Sequence, residues 1–231
     1  MSVAVQVADY SRLPASWADA LPRTLDLDSL YAVVDALYSA RPGAVSPLRR
    51  TDVFRAFHLT PLASVRVVIL GQDPYPDPAH AHGLAFSMPS VGRVGRPQSL
   101  GKIFGSLRRD LNLSPLSNDL SPWADRGVLL LNAALTHRIG AKTPDTSMWE
   151  DFTRAVLELV AAKSDRVAWL LWGEFAVDLA DSVQVSNTRH RRFENAHPRA
   201  SRANRPLLGQ DPPFTKASMF LGTNPLLDWS N

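Results

Sequence analysis

Residues 64–70 read SVRVVIL, and two further runs of the same kind follow, GVLLLNA (127–133) and RVAWLLW (166–172). As a set they are short, apolar, rich in β-branched side chains and bounded by turn residues, which fits buried strands. RRFENA (191–196) is a weaker fourth. Between them lie helical repeats. In PQSLGKIFGSLRRDLNL (97–113), Leu100, Ile103, Phe104, Leu107 and Leu111 recur at helix spacing, and in EDFTRAVLELVAAK (150–163), Phe152, Val156, Leu159 and Val160 do so as core packing. DSLYAVVDALYSA (28–40), capped by Asp28 or Ser29, and GEFAVDLADSV (173–183) are two more helices. Strands alternating with helices imply parallel pairing through right-handed crossovers. The expected architecture is therefore α/β: a central four-stranded parallel twisted sheet with helices on both faces. With no internal repeat and no low-complexity tract, residues 1–231 read as one domain, 1–27 being an N-terminal extension and first helix region.

The chain has 231 residues and no cysteine, which excludes disulfide frameworks, zinc ribbons, iron–sulfur clusters and cysteine nucleophiles. Its length allows burial of roughly 70% of the unfolded surface, so no staple is required. No apolar run approaches the ~18 residues of a membrane span. The start, MSVAVQVADYSRLPASW, lacks a basic region followed by an apolar one, so no secretory signal is read and a cytoplasmic location is expected. A net charge of +3 diagnoses nothing by itself. However, Arg189, Arg191, Arg192, Arg199, Arg202 and Arg205 crowd seventeen positions with His190 and His197, and only Glu194 opposes them there. A solvated face and a phosphate-contact strip both fit that pattern.

In parallel sheets ligands sit beyond the carboxyl ends of the strands. That rule selects Gly71 to Tyr75, Asn132, Trp172 with Gly173, and His197. The Pro-rich segments 74–78 and 89–97 read as ordered loops near the same edge. GQDPYPDPAHAHGLAFS (71–87) is the most informative stretch. Asp73 is a carboxylate just past a buried strand, with Pro74 restricting its backbone; equally, Asp before Pro is a common turn starter. For Asp77 the turn reading is preferred. His80 and His82 have no third ligand at convincing spacing, so HAHG is not a zinc site and no metal or cofactor is expected. Neither GxGxxG, GxxxxGK nor GxSxG occurs, which argues against a nucleotide enzyme or a nucleophile-elbow hydrolase.

Four blocks, GQDPYPDPAHAHGLAFS, WADRGVLLLNAALT (123–136), LLWG (170–173) and AHP (196–198), together resemble in order and spacing the most widespread family of uracil-DNA glycosylases. The similarity runs from about Leu13 to Trp229. It implies hydrolysis of the N-glycosidic bond between uracil and deoxyribose on a nucleotide flipped out of the helix, leaving an abasic site. The implied partner is uracil-containing DNA, single- and double-stranded, and a proteinaceous DNA-mimic inhibitor is a further one; a monomer is expected. By the same resemblance Asp73 positions water and stabilises the cationic sugar, and His197 hydrogen-bonds the departing base; it is expected to do so as a neutral donor, because an imidazolium beside the arginine-rich stretch is unfavourable. Gln72 contacts the base, Asn132 reads its O4 and N3–H edge, and Phe86 stacks on it, although a lone Phe after Ala reads as core. Tyr75, stiffened by Pro74 and Pro76, is the wall against the thymine methyl, while a Tyr packed under a loop fits the same residues. Pro97, Ser99, Pro198, Arg199, Ser201 and Arg202 are the implied DNA contacts.

Two departures stand out. Where the family carries His-Pro-Ser-Pro-Leu-Ser, this chain has His197-Pro198-Arg199-Ala200-Ser201-Arg202, so the apolar wedge is absent and arginines are added. A stronger preference for single-stranded DNA and a steep salt dependence are expected. In RIGAKTPDTSMWE (138–150) the family's histidine aligns with Asp145, which puts support of the leaving base from that side in doubt. The competing reading is a catalytically weakened relative serving as a DNA-binding or protein-interaction module.

Overall fold

In the computed structural model, which describes residues 8–90, 95–185, 189–201, 204–208, 210–222 and 227–231, the three strong apolar runs form strands in which every residue is buried. The elements in chain order are α1 (Ala15–Ala18), α2 (Leu27–Ala40), β1 (Val45–Ser46), α3 (Arg55–Leu59), β2 (Val67–Gly71), α4 (Gln98–Leu111) and α5 (Ser121–Asp125). There follow β3 (Val128–Asn132), β4 (His137–Arg138), α6 (Thr146–Ala161), β5 (Val167–Trp172), α7 (Glu174–Ser182), β6 (His190–Asn195) and α8 (Pro213–Leu221). The main sheet has the order β3-β2-β5-β6 and is parallel throughout. Neighbouring side chains on a strand face opposite sides, so unbroken burial along β2, β3 and β5 requires cover on both faces. The edge strand β6 carries exposed Arg191 beside buried Phe193, which is why its sequence reads weakly.

Several boundaries differ from the sequence expectation. The cap of α2 is Asp26, not Asp28 or Ser29: its carboxylate accepts the Ser29 N–H at 2.9 Å, three residues on, where an N-cap acceptor has to lie. Helix α6 starts at Thr146, one turn before position 150, and the extra turn buries Trp149. Leu111 ends α4 because Asn112 turns left-handed at φ 55°. The antiparallel pair β1–β4 has no sequence signal, since two residues show no period.

One apolar cluster runs from Leu13 to Trp229. It includes Trp17, whose indole N–H donates to the Thr60 carbonyl at 3.0 Å, so the segment read as an N-terminal extension joins the core from Leu13 onward. The strand registers set Gly71 beside Asn132 and Trp172 beside Asn195. Four strand ends thus meet along one edge of the sheet.

Candidate active site

Pairing of β2 with β3 continues past the strands. The N–H groups of Ala133 and Ala134 donate to the carbonyls of Gly71 and Gln72, both at 2.9 Å, and so fix the backbone leading into Asp73. Gly71 has no room for a side chain: a Cβ there would lie 2.2 Å from Asn132 Oδ1. The Asn132 amide is buried and lines a cavity of about 280 Å³ beyond the strand ends. Gln72, Asp73, Tyr75, Phe86, Ser99, His197 and Arg199 line the same cavity.

Tyr75 is held at both ends. Its carbonyl accepts from Ser46 Oγ at 2.7 Å, and its phenol donates to the Phe86 carbonyl at 2.9 Å. Burial pushes the phenol pKa above its ordinary value. Phe86 has φ 62°, a left-handed conformation that a bulky residue keeps only when its surroundings impose it. The Tyr75 hydrogen bond and that of Ala85 N–H to the Leu130 carbonyl, 3.0 Å, do so. The Phe86 ring is half-buried, 5.5 Å from Trp172 and 6.5 Å from His197 between centroids. It therefore faces the cavity as well as the core.

His80 and His82 diverge. The His80 Nε2–H donates to the Gly95 carbonyl at 3.0 Å, while His82 is buried between Arg55, 3.1 Å from Nδ1, and Ser87 Oγ, 2.7 Å from Nε2. Burial first, and then Arg55, pulls the His82 pKa down to about 4, so it acts as a neutral brace of the loop. Among the described residues no three His, Asp or Glu side chains gather as a metal site.

Asp73 is half-buried. Burial raises its pKa above the usual carboxylate value, nearby Asp145 pushes the same way, and His137 opposes both. His137 was not singled out in the sequence. It is buried, and its Nδ1 lies 2.8 Å from Asp73 Oδ2, at ion-pair distance although the ring N–H is not aligned for a hydrogen bond. The signal that could have found it is position: it falls five residues past Asn132, on the same edge of the sheet. Asp145, where the family's histidine aligns, is buried against Arg138 Nε at 2.6 Å, so its carboxylate is engaged on β4.

His197 follows β6 and packs against Gly173, where a Cβ would come within 2.9 Å of the His197 Cβ and φ is +94°. The Arg199 N–H donates to His197 Nδ1 at 3.2 Å, so in the neutral ring the hydrogen sits on Nε2. Burial, then the Arg199 charge, lowers the imidazole pKa. The expected neutrality thus has burial as its first cause and the arginine second.

Of the expected DNA contacts, Ser99 is buried but reaches the cavity, Arg199 is exposed at its rim and Ser201 is exposed. Pro198 is buried and faces a neighbouring groove with Lys102 and Arg109; Pro97 precedes α4 outside the cavity; Arg202 lies outside the described residues. The arginine crowd is not a continuous strip. Arg192 pairs with Asp181 and, at 2.9 Å, with Glu194, while Arg205 pairs with Glu174 and, at 3.1 Å, with Glu194. The opposing acids Asp181 and Glu174 come from α7, out of sight of the local sequence. His190 is a buried strand residue that donates from Nε2 to the Ala161 carbonyl at 2.9 Å.

The model of the Uracil DNA glycosylase superfamily matches residues 57–221, more than half of the chain. The chain is 36% identical over 219 residues to a uracil-DNA glycosylase of Lactococcus lactis subsp. lactis, covering 93% of this chain and 97% of that one. To a uracil-DNA glycosylase of a Geobacillus species it is 45% identical over 183 residues, covering 77% and 79%. In fold it matches the crystal structure of mimivirus uracil-DNA glycosylase with a TM-score of 0.80 at 21% identity, over 96% of this chain and 88% of that chain. A variant of the mimivirus protein in complex with UGI matches with a TM-score of 0.79 at 22% identity, over 96% and 90%. On the family match, and on relatives that align over most of both chains, the protein belongs to the uracil-DNA glycosylase superfamily.

Proposed function

We propose that the protein excises uracil from DNA by hydrolysing its N-glycosidic bond on a flipped-out nucleotide, leaving an abasic site. The observation that carries this is the convergence of Asp73, Tyr75 and Phe86 from the 71–87 stretch, Asn132 from the end of β3 and His197 from the loop after β6 on one cavity. The bond from C1′ to uracil N1 breaks with its electron pair going to the base, and water adds at C1′. Asp73 lies where a carboxylate can stabilise the cationic sugar and hold that water. His197 Nε2–H, freed for this by the Arg199 contact on Nδ1, donates to the O2 that becomes anionic. The Asn132 amide offers a donor and an acceptor to O4 and N3–H; cytosine presents the reverse pattern and leaves both unmatched. Tyr75, held at its carbonyl and hydroxyl, supplies the rigid wall that excludes a 5-methyl group.

This chemistry calls on no metal or cofactor. One domain over residues 1–231, a monomeric state and a cytoplasmic location belong to the same reading; an apolar cluster that runs from Leu13 to Trp229 among the described residues supports the first. No helix among the described residues is long and apolar enough to cross a membrane. The rim at Arg199 is the surface that DNA, or a protein mimicking it, would cover. The reading as a module without catalysis is not favoured, because the catalytic pair and the base-reading groups share one cavity. The deciding experiment is release of uracil from single- and double-stranded oligonucleotides with a chelator present. Asp73→Asn and His197→Ala should each lose most turnover while keeping affinity, and full activity in both would refute the assignment.

A further inference from the structure

We infer that His137 is a positioning residue for Asp73, and that the two-stranded ribbon β1–β4 is the frame that holds the carboxylate in its working orientation. Three observations carry this. His137 is buried and stands behind the residues that line the cavity, with its Nδ1 2.8 Å from Asp73 Oδ2. Its backbone is paired with β1, Ser46 lying opposite it, and the Ile139 N–H extends the ribbon by donating to the Ala44 carbonyl at 2.9 Å. Finally, Ser46 Oγ donates to the Tyr75 carbonyl at 2.7 Å. The ribbon thus grips the 73–75 segment twice, once through the Asp73 side chain and once through the Tyr75 backbone.

A carboxylate has two oxygens and no donor when ionised. With Oδ2 engaged by His137, Oδ1 is the oxygen left for the sugar and water. Without that contact the side chain can rotate about its last torsion, which is soft, and a displacement on the scale of 1 Å can cost ~10²-fold in rate. His137 also offsets burial and the charge of Asp145, which both disfavour the anion. The other charged groups near Asp73 are His197 and Arg199 across the cavity, and Asp145 is itself paired with Arg138. The residues of α4 and α7 that line the cavity, Ser99, Phe175 and Ala176, are uncharged.

The inference rests on Asp73 being the working carboxylate, so the experiment includes Asp73→Asn. His137→Leu should lower single-turnover kcat ~10–100-fold with KM changed less than ~3-fold, and should move the acid limb of the kcat profile toward neutral pH. His137→Asn, which can place an amide N–H near the Nδ1 position, should recover most of the rate and return the acid limb. Asp73→Asn/His137→Leu should be no slower than Asp73→Asn alone. In the unmodified protein, nitrogen NMR should find His137 Nδ1 protonated. Turnover in His137→Leu within ~2-fold of the unmodified enzyme, an unmoved acid limb, or a bare Nδ1 would overturn the inference even where Asp73→Asn is inactive. An active Asp73→Asn would instead bring down the assignment of the carboxylate itself. The NMR measurement needs no variant, so a fold that rejects leucine at 137 leaves the test intact.

Discussion

The carboxyl ends of β2 and β3 and the loop after β6 each deliver one half of the proposed catalytic pair, yet they are built in opposite ways. At β2–β3 the supporting strand residues are buried, interstrand bonding continues two residues beyond the strands, and Gly71 lies against the Asn132 amide with no space to spare. After β6, Arg199 is exposed, Pro198 is the buried anchor, and His197, packed on Gly173 and open to the cavity on its other side, is oriented by one N–H to Nδ1 contact. The difference teaches a division of labour. In the proposed reaction the carboxylate and the base-reading amide sit on a rigid frame where small errors are costly, whereas the imidazole sits on a loop that departs from the family right beside it, at Arg199, which lines the same cavity.

The comparison breaks first at Asp73. Replacing it by Asn should reduce kcat ~10³-fold in single-turnover assays with DNA affinity held, the loss expected when a charge-stabilising group is removed. His197→Ala should cost ~10²-fold, less because one hydrogen bond rather than a charge is lost. Gly71→Ala tests the rigid side away from the reacting atoms. Its methyl must displace the Asn132 amide, so kcat/KM should fall ~10-fold or more and the melting temperature should drop, as for overpacking worth ~1–3 kcal/mol; unchanged kinetics would show that the frame yields. Tyr75→Ala should make thymine excision measurable while uracil excision falls, since a wall and not an attraction separates two bases one methyl apart.

Arg199→Gln on the exposed loop should have the smallest effect. Affinity should fall, with the salt slope of binding reduced by roughly one, and kcat should stay within a few-fold. Proton NMR should find the His197 pKa raised relative to the unmodified protein. The sign follows from the causes: the Arg199 charge lowers that pKa, so its removal lets the ring protonate at higher pH, while burial, the larger cause, remains. On the same loop, the missing apolar wedge predicts faster turnover of single- than of double-stranded substrate at matched salt. Equal rates would mean that another group fills the gap left by the flipped nucleotide.

Much of the pocket was legible because its residues sit where a strand ends. A run of fully buried positions announces β2, β3 and β5, and the residues at or just past their carboxyl ends, Asn132, Gly173 and Asp73, inherit their place from the strand. His137 was not legible, because it enters from a two-residue strand whose partner is about ninety positions earlier in the chain. The arginine crowd misled for a related reason. Local sequence shows six like charges, but Arg192 and Arg205 meet acids of α7 only after β5 and β6 have paired.

Local order in the chain determined what depends on period and neighbours: buried strands, amphipathic helices, parallel crossovers, and the motif blocks that mark the family. Tertiary packing alone decided the strand order, the conformation of Phe86, the hydrogen on His197 Nε2 and the histidine behind Asp73. The strand order, the Phe86 conformation and the histidine behind Asp73 rest on contacts between segments apart in sequence, while the His197 hydrogen rests on a turn contact two residues away that forms only once the loop is seated on Gly173. The strength of each depends on burial and distance that exist only after the core has closed around it.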